Sequence, residues 1–250
     1  SGGTGGVGAA LAQALIRARP QARLALVGRS MLPPRDTWEQ VCLSSTEDDP
    51  VRQRIERVSA LEGLGAEVAV FCADVADPSQ VKDMVIAVED RFGPVTGVLH
   101  AAGDMTGNSF KSVLDLEVED FERQFRPKVL GALNLEVALA DRELEFFVLT
   151  SSLSSLLGGL GFAAYSGANY VLDGFAETTG RGDHPKLSVA WDAWNVNPGR
   201  RHQFGNTPTH AAIDPYPGAQ VFAQLLGAAA QGVVAVSVLP LLIFLAIALA

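Results

Sequence analysis

The sequence predicts an α/β fold: a doubly wound parallel sheet with helices on both faces. Short apolar strand segments alternate with segments of helical periodicity along the chain, which is the pattern of such a sheet. The strand segments are apolar at nearly every position, as expected for strands buried on both faces. With 250 residues, 48% of them hydrophobic, the chain is long enough to bury one core of this kind.

The predicted elements follow one another regularly. A glycine-rich loop leads into a helix with apolar residues at helical spacing, and runs such as EVAVFCAD and LEFFVLTSS are rich in the residues that strands favour. We predict strands at 23–28, 67–74, 97–103, 144–152, 186–191 and 233–238. We predict helices at 7–18, 52–64, 79–92, 117–140, 163–179 and 217–230. Residues 31–50 are polar and contain three prolines, so we predict a surface insertion there.

Both ends of the chain are unusual. Glycine loops of this kind normally follow a β-strand, so we expect that the first strand of the sheet is missing and that the chain is a piece of a longer protein. At the other end, residues 233–250 form an uncharged run of a length at which a transmembrane helix becomes a candidate. We favour a buried strand at 233–238, a break at Pro240 and an apolar tail, 239–250, to which we assign no role.

Charge and cysteine content narrow the function classes. A net charge of −9 argues against a nucleic-acid partner, because binding phosphates requires a basic face. Cys42 and Cys72 have no metal-ligand spacing and indicate free thiols in a reducing compartment, which we take to be the cytoplasm. His100 and His202 have no partner at ligand spacing either, so we predict no metal site.

The opening loop predicts a dinucleotide site. Its glycines match the pattern G-x-G-x-x-G, in which the backbone approaches a pyrophosphate and a helix N-terminus points at the anion. A helix follows, and a strand returns about twenty residues later, as a Rossmann-like βαβ unit requires. The cofactor-binding residues predicted in this loop are Gly3, Thr4, Gly5, Gly6, Val7 and Gly8.

Residues at the ends of the next two strands indicate which dinucleotide. Arg29 and Ser30 stand where an NAD enzyme would carry an acid, and a guanidinium there favours the 2′-phosphate of NADPH. The alternative for Arg29 is a solvated strand end. Asp74 is placed to accept a hydrogen bond from the adenine amino group, and its alternative role is a helix N-cap.

Tyr165 raises the question of a missing cation. It stands near the start of a predicted helix, in the segment AAYSGANYVLDGFA, where a proton-donating tyrosine is often followed by a lysine at i+4. Here the residue at i+4 is Asn169. Lys128 lies in an otherwise apolar helix, and in this fold that helix packs beside the one carrying Tyr165, near the strand that ends at Ser152. Snorkelling of Lys128 to the surface is the alternative.

The sequence resembles the catalytic half of a ketoreductase domain from a modular type I polyketide synthase, within the short-chain dehydrogenase/reductase superfamily. The resemblance covers residues 1–238 and is carried by GGTGGVG, VGRS, ADVAD, VLHAAG, PKVLGALNL, YSGAN, WDAW and AIDPYPGAQVFAQLL. In these domains the lysine and the asparagine exchange places relative to most of the superfamily. The 24 residues from Lys128 to Ser152 and the 13 from Ser152 to Tyr165 agree with that arrangement.

The resemblance implies one NADPH-binding catalytic domain over 1–238 that reduces a β-ketoacyl thioester. It implies Tyr165 as proton donor, Ser152 as hydrogen-bond donor to the developing alkoxide, Lys128 as stabiliser of the tyrosinate and Asn169 as support for Lys128 or a relay water. It also adds cofactor contacts at Val75, Ala101, Ala102 and Gly103. The partners it implies are an acyl carrier protein, bearing the chain on phosphopantetheine, and the other synthase domains.

Some positions depart from the family pattern or leave alternatives. Phe162 stands where a glutamine is frequent, which concerns the orientation of the substrate arm. Residues 195–213 correspond to a substrate lid, where Arg200 and Arg201 either meet the phosphopantetheine or carrier protein or are solvated. A non-catalytic structural domain of a synthase is the main alternative function, and a membrane-attached protein is an alternative that rests only on the last 18 residues.

Overall fold

The computed structural model describes residues 1–104, 111–178, 184–196 and 212–238. Within these ranges, parallel strands form one sheet of β1 and β2 and another in the order β3-β4-β5-β6. The strands are β1 (Arg23–Gly28), β2 (Glu67–Cys72), β3 (Gly97–His100), β4 (Phe146–Ser152), β5 (Lys186–Trp191) and β6 (Gly232–Val236). The helices are α1 (Gly6–Ala18), α2 (Trp38–Ser44), α3 (Pro50–Gly63), α4 (Pro78–Phe92), α5 (Val118–Phe125), α6 (Gly131–Ala138), α7 (Ser154–Leu157), α8 (Ala163–Glu177) and α9 (Pro215–Gly227).

Helices cover both faces of the sheets, as predicted. On one face, residues of α4, α6 and α8 such as Leu135 and Leu172 pack on Phe147 and Leu149 of β4. On the other face, α1 and α9 pack on β5, and α1 and α3 pack on β1. The observed strand order, with parallel neighbours and crossover helices, therefore corresponds to the predicted doubly wound α/β architecture.

The opening residues lie between the two sheets. The Ser1 amino group donates to Leu99 O of β3 at 2.7 Å, and Ala101 N donates to Ser1 O at 3.0 Å. On the other side, Gly2 N donates to Val27 O of β1 at 2.9 Å. Main-chain bonds of this short segment thus connect β1 and β3 at the point where the strand order reverses.

Three of the described helices, α3, α4 and α9, begin where an aspartate is followed by proline, and in the first two the aspartate side chain caps the helix. The side chain of Asp49 accepts hydrogen bonds from two main-chain N–H groups of α3, and Asp77 does the same for α4. Each helix starts with the proline itself, which tolerates the first helical position because that N–H has no partner inside the helix. These caps fix both helix starts one or two residues before the predicted ones.

The structure divides one predicted helix and shows a helix within the predicted surface insertion. The helix predicted at 117–140 consists of α5, a π-helical turn at Arg126–Leu130 and α6. Pro127 explains the interruption, since proline in a helix interior removes one hydrogen bond and clashes with the preceding turn. The insertion at 31–50 is ordered around α2, and Arg35 in it stacks on Trp38 at 3.8 Å and forms an ion pair with Glu62.

The chain's last described strand, β6, confirms a strand at the start of the apolar run. Among the described residues, no helix is both long and apolar enough to cross a membrane. The tail 239–250, most of the predicted lid, Arg200, Arg201 and His202 lie outside the described residues.

Candidate active site

The predicted site residues gather at the carboxyl ends of β1, β3 and β4. This is the edge where the strand order reverses, and doubly wound sheets bind ligands at such a point. The glycine loop follows the bonds between Gly2 and Val27 at that edge, and α1 begins at Gly6 with Gly5 as N-cap. Gly5 has no capping side chain, so the first N–H groups of α1 have no side-chain acceptor.

The glycine loop is too tight for larger residues. A Cβ on Gly8 would lie 2.3 Å from Gly2 O, and Gly2 itself has φ +70° with a Cβ position 2.4 Å from Ala101 O. The loop therefore packs main chain against main chain, including the predicted contact segment at Ala101 and Ala102. Gly3 and Thr4 are buried, whereas Gly6 and Val7 are partly exposed at the helix start. This close packing fits a cradle for a dinucleotide pyrophosphate.

The end of β1 provides an exposed cationic group beside this loop. Arg29 and Ser30 are both exposed. Two arginines of α3 reach the same region, because Arg54 Nη1 donates to Ser30 O at 3.1 Å and Arg57 Nη1 donates to Thr4 O at 3.2 Å. The sequence interpretation missed Arg54 and Arg57, although their spacing of three residues places them on one side of a helix.

Asp74 is not the N-cap of the next helix, as its alternative role required, because Asp77 caps α4. Asp74 Oδ1 accepts from Ala76 N at 3.0 Å, a local turn bond, and its Oδ2 lies 3.5 Å from Arg126 Nη2. The side chain of Val75 is buried in the core, and its carbonyl accepts from Asn134 Nδ2 at 3.0 Å. Cofactor contacts by Asp74 and Val75 remain predictions.

The π-helical turn directs Lys128 inward. Lys128 is only 5% exposed, so it does not snorkel, and its Nζ donates to Thr150 O of β4 at 3.0 Å. Nζ also lies 5.6 Å from the centroid of the Tyr165 ring. Gly103 is also close, since a Cβ added there would stand 3.4 Å from Lys128 Cε. The ammonium thus lies near both the tyrosine and the predicted cofactor segment.

His100 holds the main chain of this turn. Its ring is fully buried, with Nε2 2.8 Å from Lys128 O and Nδ1 2.7 Å from Ser1 Oγ. Because a carbonyl only accepts, Nε2 carries the proton and Nδ1 accepts from the hydroxyl. Burial lowers the pKa of His100 to about 3, so the ring is neutral. His100 is therefore an interior residue with both ring nitrogens hydrogen-bonded.

Tyr165 lies in the first turn of α8, opposite the end of β4. Side-chain hydrogen bonds from Ser152 and Asn169 act on its phenol and lower its pKa, but burial outweighs them and the net effect raises the pKa above its usual value. Asn169 also donates to Tyr165 O at 2.9 Å, which fixes the turn that carries the tyrosine. The structure therefore brings Lys128, Ser152, Tyr165 and Asn169 together.

The charge states of this group suit proton donation. A phenol with a raised pKa stays protonated at neutral pH and is available as an acid. Burial lowers the pKa of Lys128 to about 8, and the charge of Asp173 acts in the opposite direction. The Lys128 ammonium lies over the ring of Tyr165, 5.6 Å from its centroid.

The remaining sequence predictions for the site concern Phe162, the two cysteines and a metal ion. Phe162, at the position where a glutamine is frequent, packs against Tyr165 with ring centroids 6.0 Å apart. Cys42 and Cys72 are free. In the described part of the chain, no group of three or more His, Cys, Asp or Glu residues is arranged to hold a metal ion.

Comparison with known proteins places this geometry among ketoreductases. The profile of the KR domain family matches residues 1–196. The chain is 33% identical over 195 residues to 6-methylsalicylic acid synthase of Aspergillus terreus, covering 78% of the chain and 10% of that protein. It is 34% identical over 196 residues to polyketide synthase PksL of Bacillus subtilis, again 78% of the chain but 4% of that protein. The chain thus spans a tenth or less of the length of these relatives.

Solved structures agree with the fold. An N-terminal ketoreductase from the macrolactin assembly line superimposes with a TM-score of 0.74 at 27% identity, covering 94% of this chain and 43% of that one. An alcohol dehydrogenase from Thermococcus sibiricus, solved with 5-hydroxy-NADP, gives a TM-score of 0.71 at 21% identity over 94% of this chain and 93% of that one. The second likeness concerns the fold alone.

Proposed function

Since the chain belongs to the ketoreductase (KR) domain family of polyketide synthases, within the short-chain dehydrogenase/reductase fold, we propose that it reduces a β-ketoacyl thioester to the β-hydroxyacyl thioester with NADPH. The substrate is a growing polyketide chain held on the phosphopantetheine arm of an acyl carrier protein. The observation that carries this proposal is the joint placement of Tyr165, Ser152 and a buried Lys128 ammonium at the carboxyl edge of the sheet.

Tyr165 is the proton donor in this proposal. NADPH, when bound, supplies a hydride to the ketone carbon, which is the β-carbon of the acyl chain. The electron pair of the carbonyl double bond moves to the oxygen. Tyr165 gives its phenolic proton to that oxygen, so the product is an alcohol and the enzyme is left with a tyrosinate. Ser152, which already hydrogen-bonds the phenol, stands where it also donates to the oxygen as negative charge develops.

Lys128 and Asn169 act on the tyrosinate. An ammonium near the ring stabilises the phenolate left by proton transfer, because opposite charges attract strongly in a partly buried site. Asn169 is fully buried, and its Oδ1 accepts no hydrogen bond from a described residue. We assign this oxygen to holding Lys128 or a water that returns the proton to Tyr165.

The cofactor fits the residues at the other side of the cleft. Gly3, Gly5 and Gly8 would hold the pyrophosphate against the N-terminus of α1, and Arg29 would bind the 2′-phosphate, with Arg54 and Arg57 nearby to add positive charge. Asp74 would contact the adenine end of the cofactor, and Gly103 would contact the nicotinamide end. The preference for NADPH over NADH rests on the arginines.

Replacement of Arg29 by alanine tests that preference. A charge-assisted bond to phosphate is worth about 1.5–3 kcal/mol, so we expect the KM for NADPH to rise roughly tenfold or more and the KM for NADH to change little. Both values follow from initial rates with each cofactor. Arg19→Ala is a matched control, because Arg19 is 70% exposed and pairs with Glu145 away from the site. An equal effect on both cofactors would remove Arg29 as the phosphate ligand.

The carrier protein and neighbouring synthase domains are the proposed partners, and the cytoplasm is the proposed location, in keeping with the free thiols of Cys42 and Cys72.

The test of the proposed reduction uses the full-length protein with a β-ketoacyl chain loaded on its carrier protein. We expect NADPH oxidation and a product heavier by two hydrogens. Binding of NADPH without any product would instead support the non-catalytic structural domain.

A further inference from the structure

Asp173 is a buried carboxylate on the face of α8 that carries Tyr165 and Asn169. Tyr165, Asn169 and Asp173 follow one another at intervals of four residues, so their side chains lie on one face of the helix. Asp173 is 5% exposed, although its neighbours Leu172 and Ala176 belong to the hydrophobic core. A carboxylate rarely lies in such surroundings unless other groups compensate its charge.

Two serine hydroxyls hold this carboxylate. Ser188 Oγ of β5 donates to Asp173 Oδ1 at 2.6 Å, and Ser155 Oγ, in α7, lies 2.5 Å from Oδ2. Ser155 Oγ is also 2.8 Å from Ser152 O, so its single proton is shared between the Asp173 carboxylate and the main chain of the proposed alkoxide-binding serine.

The carboxylate and the Lys128 ammonium are anchored on neighbouring strands. Lys128 Nζ is bound to the carbonyl of Thr150 in β4, and Asp173 is bound to Ser188 in β5. Ser188 is the register partner of Leu149, the residue directly before Thr150. Adjacent strands lie about 5 Å apart, so the residues that bind the two side chains, Thr150 and Ser188, are close neighbours in the sheet.

We propose that Asp173 is a positioning residue whose carboxylate, held by Ser155 and Ser188, keeps the Lys128 ammonium charged beside Tyr165. This inference rests on the proposed function, because its consequence is a property of the reduction. The carboxylate is the counter-charge that a buried ammonium needs and that the helix carrying Lys128 does not supply. In keeping with this, the charge of Asp173 raises the pKa of Lys128 against the lowering effect of burial.

The described titratable side chains beside Lys128, His100 and Tyr165, do not change charge in the same range. Burial lowers the pKa of His100, on β3, to about 3. Tyr165 on α8 has a pKa raised above its usual value. With Lys128 near 8, the loss of activity on the alkaline side therefore reports the ammonium.

The test is the pH dependence of kcat/KM for the full-length protein with its carrier-bound substrate, comparing wild type with Asp173→Asn. Loss of a nearby opposite charge moves a pKa by about one unit or more, so we expect the alkaline limb to move about one unit lower, with a loss of about fivefold near pH 8 and much less at lower pH. A merely structural tie between α8, α7 and β5 would lower activity equally at every pH.

Controls separate the charge from stability and from the proposed function. Glu136→Gln is matched, since Glu136 is 6% exposed and pairs with Lys186 Nζ at 2.9 Å, away from Lys128; it is expected to destabilise the fold without moving the limb. Asp173→Ser places a neutral hydroxyl where the carboxylate was, loses the charge and serves if Asp173→Asn does not fold. Wild-type turnover tests the proposed function independently. A folded, charge-free Asp173 variant with an unmoved limb, or a Glu136→Gln limb moved equally, overturns the inference.

Discussion

Replacement of Tyr165 by phenylalanine is expected to lower kcat by roughly 10²- to 10⁴-fold while NADPH binding is retained. The phenol is the only group in this account that gives a proton to the carbonyl oxygen, and its raised pKa keeps it protonated at neutral pH. Phenylalanine preserves the ring, and therefore the packing against Phe162 and the position below the Lys128 ammonium. The change thus removes the proton and two hydrogen bonds but little volume.

The measurement is single-turnover NADPH oxidation, together with NADPH affinity from fluorescence titration. Tyr170→Phe is a matched control, because Tyr170 lies on the same helix and is 66% exposed. That variant is expected to behave as wild type. Unchanged turnover in Tyr165→Phe would remove Tyr165 as the acid, and loss of NADPH affinity would show that the change disturbs the cofactor site.

Replacement of Lys128 by methionine is expected to abolish most activity and yet to favour the folded state at neutral pH. Without the ammonium, the tyrosinate formed by proton transfer has no opposite charge beside it, so kcat falls by roughly 10²-fold or more. Methionine fills the same apolar pocket without a buried charge. The residue that serves the chemistry is therefore one that burdens the fold.

The pH dependence of stability gives the sign of this effect. The pKa of Lys128 falls from 10.5 to about 8 on folding, so the unfolded chain binds this proton more tightly and the folded state is penalised while Lys128 is charged. The penalty is present in full below about pH 8 and disappears as the pH rises through 10.5, which amounts to roughly 3 kcal/mol. The free energy of unfolding of wild type should therefore rise by about that much relative to that of Lys128→Met as the pH rises from about 8 to 10.5.

Urea unfolding at neutral and alkaline pH, followed by the fluorescence of the buried Trp191 and Trp194, measures this difference. Lys82→Met, at an exposed position of α4, is the control and should show no such dependence. A difference between wild type and Lys128→Met that is constant with pH would contradict a lowered pKa for Lys128.

The fold was predictable because local signals and global architecture agree. The strands predicted at 23–28 and 186–191 coincide with β1 and β5, because turn residues on both sides of an apolar run indicate where the strand begins and ends. The helix at 117–140 was wrong in its middle: Pro127 was visible in the sequence, but its effect, a π-helical turn that directs Lys128 inward, depends on how the turn packs against His100.

The candidate site was predictable where one residue type carries the chemistry. Tyr165, Ser152 and Lys128 were identified by spacing and resemblance, and the structure brings them together. Asp173 and Arg57 were missed, because their importance arises from partners on other elements, Ser188 of β5 and the carbonyl of Thr4. The four-residue interval from Asn169 to Asp173 was the one signal in the sequence that pointed to Asp173.

The central claim is that the position of the ammonium in space matters, and that the helix supplying it does not. Exchanging the two residues tests this: Lys128→Asn alone, and Lys128→Asn combined with Asn169→Lys, which returns the lysine to the helix of Tyr165. With both variants folded and binding NADPH, we predict that the single variant loses roughly 10²-fold in kcat and that the double variant regains about tenfold or more. A double variant no more active than the single one would contradict the claim.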